Sequence, residues 1–126
     1  MPYKILYIED NPDNRQLVKK ALEARGYQFT GAINGMEGLS MADSLRPDVI
    51  LLDINLPDID GYEVARRLRA QDTAYAVSVP IIAITAHALK GDAEKALASG
   101  CNVYMSKPIN IRELWARVET FLPGPA

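Results

Sequence analysis

Residues 49–61 read VILLDINLPDIDG, an apolar run that ends on an aspartate and is followed at once by turn-forming residues. Four consecutive aliphatic residues between Pro47 and Pro57 predict a strand that is buried on both faces. Strands of this kind occur in parallel sheets, which bind their ligands at the carboxyl ends of the strands. Asp53 closes the run, so it is placed where chemistry is expected.

Three further apolar runs are followed by polar or charged residues. The acid pair Glu9-Asp10 closes ILYI, Thr85 closes IIAI, and Lys107 follows VYM after one serine. In a parallel sheet these side chains would meet at one edge. An acid pair, a single aspartate, a hydroxyl and an amine could together hold a divalent cation and a phosphoryl group.

The composition suits a single cytosolic domain. The chain has 126 residues, of which 48% are hydrophobic, and this length is sufficient for one core. A net charge of -2 gives no electrostatic basis for binding nucleic acid or an anionic membrane, and no apolar stretch could cross a bilayer. Cys101 is the only cysteine, which excludes an intrachain disulfide. Since the N-terminus shows no signal-peptide pattern, the sequence predicts a cytoplasmic protein.

Strand and helix patterns alternate along the chain. The predicted strands are residues 4–8, 27–33 (near an edge), 49–53, 81–85 and 102–105. Five helices are predicted: from Asn11-Pro12 to Gly26, over 35–45, from Asp60, over 92–99, and from Asn110. This alternation predicts a parallel sheet with helices on both faces and right-handed crossovers. Residues 71–78 resemble a linker, and one domain is expected over 1–122, with a C-terminal tail at 123–126.

Helical spacing predicts which side chains face the core. The inward residues of the first two helices are expected to be Leu17, Val18, Ala21, Leu22, Met36, Leu39 and Ala42. Those of the helices after Asp60 and Asn110 are expected to be Val64, Ala65, Leu68, Leu114, Val118 and Phe121. Trp115 is expected to pack the last helix against the sheet.

The motifs at the strand ends resemble those of response-regulator receiver domains of bacterial two-component signalling. The resemblance runs from Lys4 to Leu122 and is carried by Glu9-Asp10, by Asp53 within DINLPDIDG, by Thr85-Ala86 and by Lys107-Pro108. It implies a flavodoxin-like α/β fold, a doubly wound five-stranded sheet with strand order 2-1-3-4-5. Residues 93–101 together with Tyr104 are similar to stand-alone cell-cycle receivers and to receivers of hybrid histidine kinases.

The resemblance implies a phosphoacceptor and a metal site. Asp53 would accept a phosphoryl group from a phosphohistidine, and Mg2+ would remove the repulsion between the two anions. Magnesium prefers octahedral oxygen ligands and keeps several waters. Asp10 and Asp53 are expected to give one oxygen each and the backbone carbonyl of Asn55 a third, while Glu9 acts through a water.

The other motif residues are expected to serve the phosphoryl group and a switch. Lys107 offers a compact positive charge to one phosphoryl oxygen and Thr85 a hydroxyl to another, both from exposed strand ends. Tyr104 would be the switch residue whose ring turns inward when Thr85 moves toward the phosphate. A cis peptide bond before Pro108 is implied by the resemblance alone. His87 is expected to line the pocket or to face solvent.

If the chain stands alone, output is expected through protein binding, because the sequence contains no DNA-binding region and no catalytic effector. The chain is therefore predicted not to be an enzyme, apart from its own phosphorylation and dephosphorylation. The expected phosphodonor is a histidine kinase or a histidine phosphotransfer protein. Downstream targets are expected on the face of the fourth predicted helix, the fifth strand and the fifth helix, at Ala88, Leu89, Lys90, Tyr104, Ile109 and Arg112.

Other functions fit the sequence less well. An aspartate-nucleophile phosphatase would need a second aspartate where Asn55 stands. A flavin carrier would need a Gly-rich phosphate loop after the first strand, where the acid pair would repel the phosphate. A phosphorylation-independent scaffold with this fold would normally have lost site residues. A receiver domain excised from a hybrid histidine kinase remains an open alternative.

Overall fold

Five parallel strands form one sheet in the order β2-β1-β3-β4-β5 in the computed structural model, which describes residues 2–86 and 91–122. The strands are β1 (Lys4–Ile8), β2 (Gln28–Ala32), β3 (Val49–Asp53), β4 (Ile81–Thr85) and β5 (Val103–Ser106). The helices are α1 (Pro12–Glu23), α2 (Gly35–Leu45), α3 (Gly61–Arg69), α4 (Ala74–Ser78), α5 (Asp92–Ala98) and α6 (Ile111–Phe121). The predicted flavodoxin-like fold and strand order are confirmed.

The sheet is buried on both faces because residues alternate between two cores. One core contains Leu6 and Leu52 and is covered by α2, α3, α4 and α5. The other contains Tyr7 and Leu51 and is covered by α1 and α6. All five residues of β3 are buried, which explains why residues 49–52 are continuously apolar.

Strand order and register bring the polar strand ends together. Chain order reverses between β1 and β3, the point at which ligands bind in sheets of this kind. Ile8 pairs with Leu52, so Glu9 follows β1 at the level of Asp53. Asp53 pairs with Ile84, and Thr85 pairs with Ser106, which places Thr85 and Lys107 one step further along the same edge.

Local sequence signals explain where the helices begin and end. Asn11, Asp60 and Asn110 cap the helices as predicted, each with a side-chain oxygen that accepts backbone N–H groups of the first turn. Gly100 follows α5 with φ +113°, a conformation that favours glycine. None of the described helices is long and apolar enough to span a bilayer.

The structure corrects several element predictions. There are six helices among the described residues rather than five, because the linker-like stretch 71–78 contains α4, capped by Thr73. Strand β5 lies one residue further along the chain than predicted, and β2 is one residue shorter at each end. Strand β2 is an edge strand, as expected. The predicted tail at 123–126 lies outside the described residues.

Three inward-facing predictions are wrong. Leu17 is 44% exposed and Met36 is 53% exposed, whereas the other predicted residues of their helices are buried or half-buried. Leu17 lies at the margin of the stripe formed by Val18, Ala21 and Leu22, and Met36 is at the start of α2. Trp115 packs on α1 rather than on the sheet: its indole N–H donates to the Ala21 carbonyl at 2.8 Å, and the Arg25 guanidinium stacks on its ring.

Candidate functional site

Three carboxylates meet at the carboxyl edge of the sheet. Glu9 follows β1 and Asp53 ends β3, and both side chains are buried, while Asp10 is exposed. One carboxylate oxygen of each residue lies within 4.8 Å of the others. Like charges at this distance repel each other strongly in a buried environment. The predicted acid cluster is therefore present, and it needs a cation or a proton to be stable.

Lys107 supplies one cation to this cluster. Its ammonium nitrogen lies 2.9 Å from Glu9 Oε1 and 3.2 Å from Asp53 Oδ2. Its backbone N–H donates to the Thr85 carbonyl, and the peptide bond to Pro108 is cis, as the resemblance implied. Lys107 was predicted at an exposed strand end, but only 20% of its side chain is exposed because both carboxylates draw it inward.

The other predicted residues lie around this centre. Thr85 is buried at the end of β4, so the expectation of an exposed position is wrong for it as well. The Asn55 backbone N–H donates to Asp53 Oδ1 at 3.2 Å, which fixes the orientation of the carboxylate. Tyr104 is 38% exposed on β5 and pairs with Ala83 of β4. His87 lies outside the described residues.

The buried Glu9 and Asp53 carboxyl groups are more stable with one negative charge between them than with two. Burial and the neighbouring Glu9 carboxylate raise the pKa of Asp53 to about 7. Burial alone would raise the pKa of Glu9, but the neighbouring Asp53 carboxyl and the hydrogen bonds from Lys107 and Asn14 lower it below its ordinary value. Metal-free Asp53 therefore holds a proton over part of the neutral range, and a bound cation would favour its ionised form.

The donor set fits a magnesium ion. Carboxylate oxygens are the ligands that Mg2+ prefers, and here three of them converge, with the Lys107 ammonium as counter-charge. Glu9 Oε2 is buried and has no hydrogen-bond partner among the described residues. A buried carboxylate oxygen without a donor is unfavourable by about 1–3 kcal/mol, and a cation or its water would remove that cost.

Sequence reasoning missed two side chains that hold Glu9. The Tyr7 hydroxyl donates to Glu9 Oε1 at 3.3 Å, and the Asn14 amide donates to the same oxygen at 2.6 Å. Burial raises the pKa of Tyr7 far above its ordinary value, and the nearby carboxylates raise it further, so the hydroxyl remains a donor. Tyr7 precedes Glu9 by two residues, and this spacing places both on one face of a strand.

Two residues of the DINLPDIDG motif also proved structural. A Cβ on Gly61 would lie 2.6 Å from the Asp53 carbonyl oxygen, so only glycine lets α3 begin this close to the site. The Asp58 carboxylate accepts the backbone N–H groups of Gly35 and Met36, both at 2.8 Å. Asp58 thereby joins the loop after β3 to the first turn of α2, a tertiary contact that sequence spacing does not reveal.

Comparison with known proteins gives a consistent result. Residues 5–119 match the family model of the response regulator receiver domain. The polar-differentiation response regulator DivK of Brucella anthropi is 39% identical over 122 residues, which covers 97% of this chain and 98% of that protein.

Two solved structures show how similar the folds are. The receiver domain of sensor histidine kinase PA1611 from Pseudomonas aeruginosa PAO1, with a magnesium ion coordinated in its active site cleft, is 38% identical and has a TM-score of 0.88. The match covers 98% of this chain and 100% of that one. A putative response regulator from Chloroflexus aurantiacus J-10-fl has a TM-score of 0.91 at 28% identity, with 98% of this chain and 100% of that one covered.

Proposed function

This chain belongs to the family of response regulator receiver domains, and we propose that it is a switch controlled by phosphorylation of Asp53. The phosphodonor is a histidine kinase or a histidine phosphotransfer protein, and the output is a change in the binding of partner proteins. One observation carries the proposal. The Asp53 carboxylate is buried at a strand end, 3.2 Å from the Lys107 ammonium and within 4.8 Å of two further carboxylates.

The chemistry is a phosphoryl transfer between two side chains. An Asp53 carboxylate oxygen forms a bond to phosphorus as the P–N bond of the phosphohistidine breaks, and the electron pair returns to the donor imidazole. Transfer of this kind depends on positioning and on stabilisation of charge. The Asn55 N–H holds one Asp53 oxygen in place, and Lys107 lies beside the other.

The proposed cation site would share Asp53 and Asn55 with the phosphoacceptor site. Asp10, Asp53 and the Asn55 backbone carbonyl would hold Mg2+, and Glu9 would accept from one of its waters. When bound, the ion offsets the negative charge of the carboxylates and of the incoming phosphoryl group. The convergent carboxylates and the unpartnered Glu9 oxygen support this assignment.

Phosphorylation would be read out through Thr85 and Tyr104. Thr85 is buried one residue beyond the pair formed by Asp53 and Ile84, so the residue lies next to the end of β3. Movement of Thr85 toward a phosphoryl oxygen would make room under β5 for the Tyr104 ring, which is now 38% exposed. The shift is limited by the differential affinity of phosphate for the two states, typically about 1–3 kcal/mol.

Partners would bind the face formed by α5, β5 and α6. On this face Tyr104 and Arg112 are exposed and Ile109 is half-buried. Leu97 on α5 is 50% exposed, and with Val103, Tyr104 and Arg117 it lines a shallow groove on the same face. Ala88, Leu89 and Lys90 of the predicted partner surface lie outside the described residues.

A second possible setting for this chain, as the receiver domain of a hybrid histidine kinase, also has support. The receiver of a sensor histidine kinase is 38% identical to this chain, almost as similar as the response regulator DivK at 39%. In a hybrid kinase the same Asp53 would receive the phosphoryl group and pass it to a phosphotransfer protein. A phosphorylation-independent scaffold is disfavoured, because the acid cluster and Lys107 are assembled in the geometry that phosphoryl transfer needs.

Labelling of Asp53 tests the proposal directly. The protein is incubated with MgCl2 and acetyl phosphate or a phosphorylated histidine kinase, and the phosphorylated peptide is identified by mass spectrometry. Asp53→Asn should abolish the modification, because an amide cannot act as the carboxylate nucleophile. Asp72→Asn, which changes an exposed aspartate, is the matched control and should be modified like the unaltered protein. Undiminished modification of Asp53→Asn would refute the assignment.

A further inference from the structure

The two oxygens of the Glu9 carboxylate are in opposite environments. Oε1 accepts from the Tyr7 hydroxyl at 3.3 Å, the Asn14 amide at 2.6 Å and the Lys107 ammonium at 2.9 Å. Oε2 has no partner among the described residues, although it is buried. Three donors converge on an oxygen with two lone pairs, while its twin has none.

This asymmetry fixes the orientation of the carboxylate. The last torsion of a glutamate side chain is broad, so the plane of the carboxylate turns easily unless hydrogen-bond donors hold it. Two of the three donors come from different elements on the same side of the sheet: Tyr7 from β1, and Asn14 from the first turn of α1. A rotation of the carboxylate plane away from these donors would strain or break the hydrogen bonds, whereas a half-turn only interchanges two equivalent oxygens and leaves the arrangement unchanged. Oε1 is therefore the oxygen that the protein holds, and Oε2 is the one it leaves for another group.

The hydrogen bond from Lys107 to Glu9 is expected to be less constant than those from Tyr7 and Asn14. Lys107 also contacts Asp53, and its ammonium lies 3.2 Å from Asp53 Oδ2, beside the position of a phosphoryl group on that residue. When Lys107 turns toward a phosphoryl oxygen, Tyr7 and Asn14 remain to hold Glu9. Neither of them contacts Asp53 by any hydrogen bond in the part of the chain that the structure describes.

We propose that Tyr7 and Asn14 are positioning residues that hold Glu9 by Oε1, so that Oε2 faces the hydration shell of the bound divalent cation. The inference rests on the proposed metal site and goes beyond it by assigning two residues that do not touch the metal. Partners of this kind orient metal-binding groups, and their loss typically weakens metal affinity by about 10–100-fold at direct ligands. A smaller effect is expected where the ligand acts through water.

Calorimetric titration of the metal-free protein with MgCl2 tests the proposal. Tyr7→Phe and Asn14→Leu should each weaken Mg2+ binding about three- to tenfold, and the double variant at least about tenfold. Tyr75→Phe is a matched control, since its hydroxyl also donates one hydrogen bond but to the Pro47 carbonyl. Gln16→Leu, which removes an exposed amide from the same helix as Asn14, is the second control. Both controls should bind Mg2+ like the unaltered protein.

A double-mutant cycle separates positioning from general destabilisation. If Tyr7 acts through Glu9, Tyr7→Phe should have no further effect on Mg2+ affinity in a Glu9→Gln background. A merely structural role would lower the melting temperature and leave the affinity ratio between variant and control near one. If Tyr7→Phe does not fold, the half-buried Asn14 gives the same test.

The outcomes distinguish the inference from the proposed function. Affinities of Tyr7→Phe and Asn14→Leu within about twofold of the unaltered protein would overturn the inference while the metal site stands. Equal weakening by Tyr7→Phe with and without Glu9→Gln would also overturn it. Failure of the unaltered protein to bind Mg2+, or unchanged binding in Asp10→Asn, would instead overturn the metal site itself, and the inference with it.

Discussion

The acid cluster and the surface of β5 lie on the same sheet but are supported very differently. Every residue of β3 is buried, and so is β1 from Ile5 onward, with helices covering both faces. In β5 only Met105 is buried, and in α5 the only buried apolar residue is Ala96. Close-packed interiors resist displacement, whereas regions with few buried contacts open at lower free-energy cost. By this criterion the acid cluster lies in the more rigid part of the molecule, and the proposed partner-binding surface of α5 and β5 lies in the part that opens more easily.

The same leucine-to-alanine substitution made in β3 and in α5 compares the packing of the two regions. It should give the largest change in the free energy of unfolding. Leu51→Ala on β3 should lower the free energy of unfolding by about 2–5 kcal/mol, because it leaves a cavity in a fully buried layer. Leu97→Ala on α5, where the side chain is 50% exposed, should change it by less than about 0.5 kcal/mol. Urea denaturation of both variants is the measurement. Similar losses at the two positions would show that α5 is as firmly packed as β3.

Removal of the Lys107 charge should give the next largest loss of stability, and this loss should arise in the rigid region around the acid cluster. Lys107→Met at pH 8 without metal should cost about 2–3 kcal/mol, since two buried carboxylates lose their cation. The cost is expected to be smaller at pH 5, where Asp53 binds a proton.

Lys19→Met is the matched control for that variant. Lys19 forms an exposed ion pair with Glu23 at 3.9 Å, a kind of contact worth at most about 1 kcal/mol. Equal losses of unfolding free energy in the two variants would contradict a special role for the Lys107 ammonium.

The pH dependence of stability should show an effect that is smaller per pH unit and originates in Asp53. Its pKa is raised to about 7 in the folded protein, so between pH 4 and 7 the folded state holds a proton that the unfolded state has released. Stability of the metal-free protein should therefore fall as pH rises through this window, by at most about 1.4 kcal/mol per pH unit. The depressed pKa of Glu9 has the opposite sign but acts at lower pH.

Chemical denaturation at several pH values measures that slope. Asp53→Asn should flatten it, because the amide does not titrate. Saturating MgCl2 should flatten it too, because a bound cation favours the ionised carboxylate in the folded protein. A slope that persists in Asp53→Asn would assign the proton to another group.

Most of the site was predictable because its residues lie at fixed positions on predictable strands. Apolar runs of four or five residues identified β1, β3 and β4, and in a parallel sheet their ends meet at one edge. Glu9, Asp53 and Lys107 followed from that rule and from the resemblance to receiver domains. The burial of these residues could not be predicted from the same rule. Lys107 is drawn inward by carboxylates that are distant in sequence, and Thr85 is buried at the end of β4, so the burial of these two residues could not be read locally.

Other errors have similar causes. The helix α4 was missed because its five residues carry too little periodic signal, and its Thr73 cap was the only local indication. Met36 was assigned inward by its spacing. In the structure its backbone N–H donates to the Asp58 carboxylate at the start of α2, and the Met36 side chain stays exposed. Trp115 was expected on the sheet, whereas α1 provides the acceptor for its N–H. Each of these contacts joins segments that only the folded chain brings together.

By itself the sequence determined the alternation of strands and helices, the helix caps and the choice of Asp53 as the proposed phosphoacceptor, because these depend on residues close together along the chain. Only the tertiary structure decided how the carboxylates share charge and which donors hold them. Tyr7 and Lys107 reach the same oxygen of Glu9 from positions 2 and 98 residues away in the chain. Burial then sets the strength of these contacts, because electrostatic interactions grow as water is excluded, and burial is a property of the whole fold.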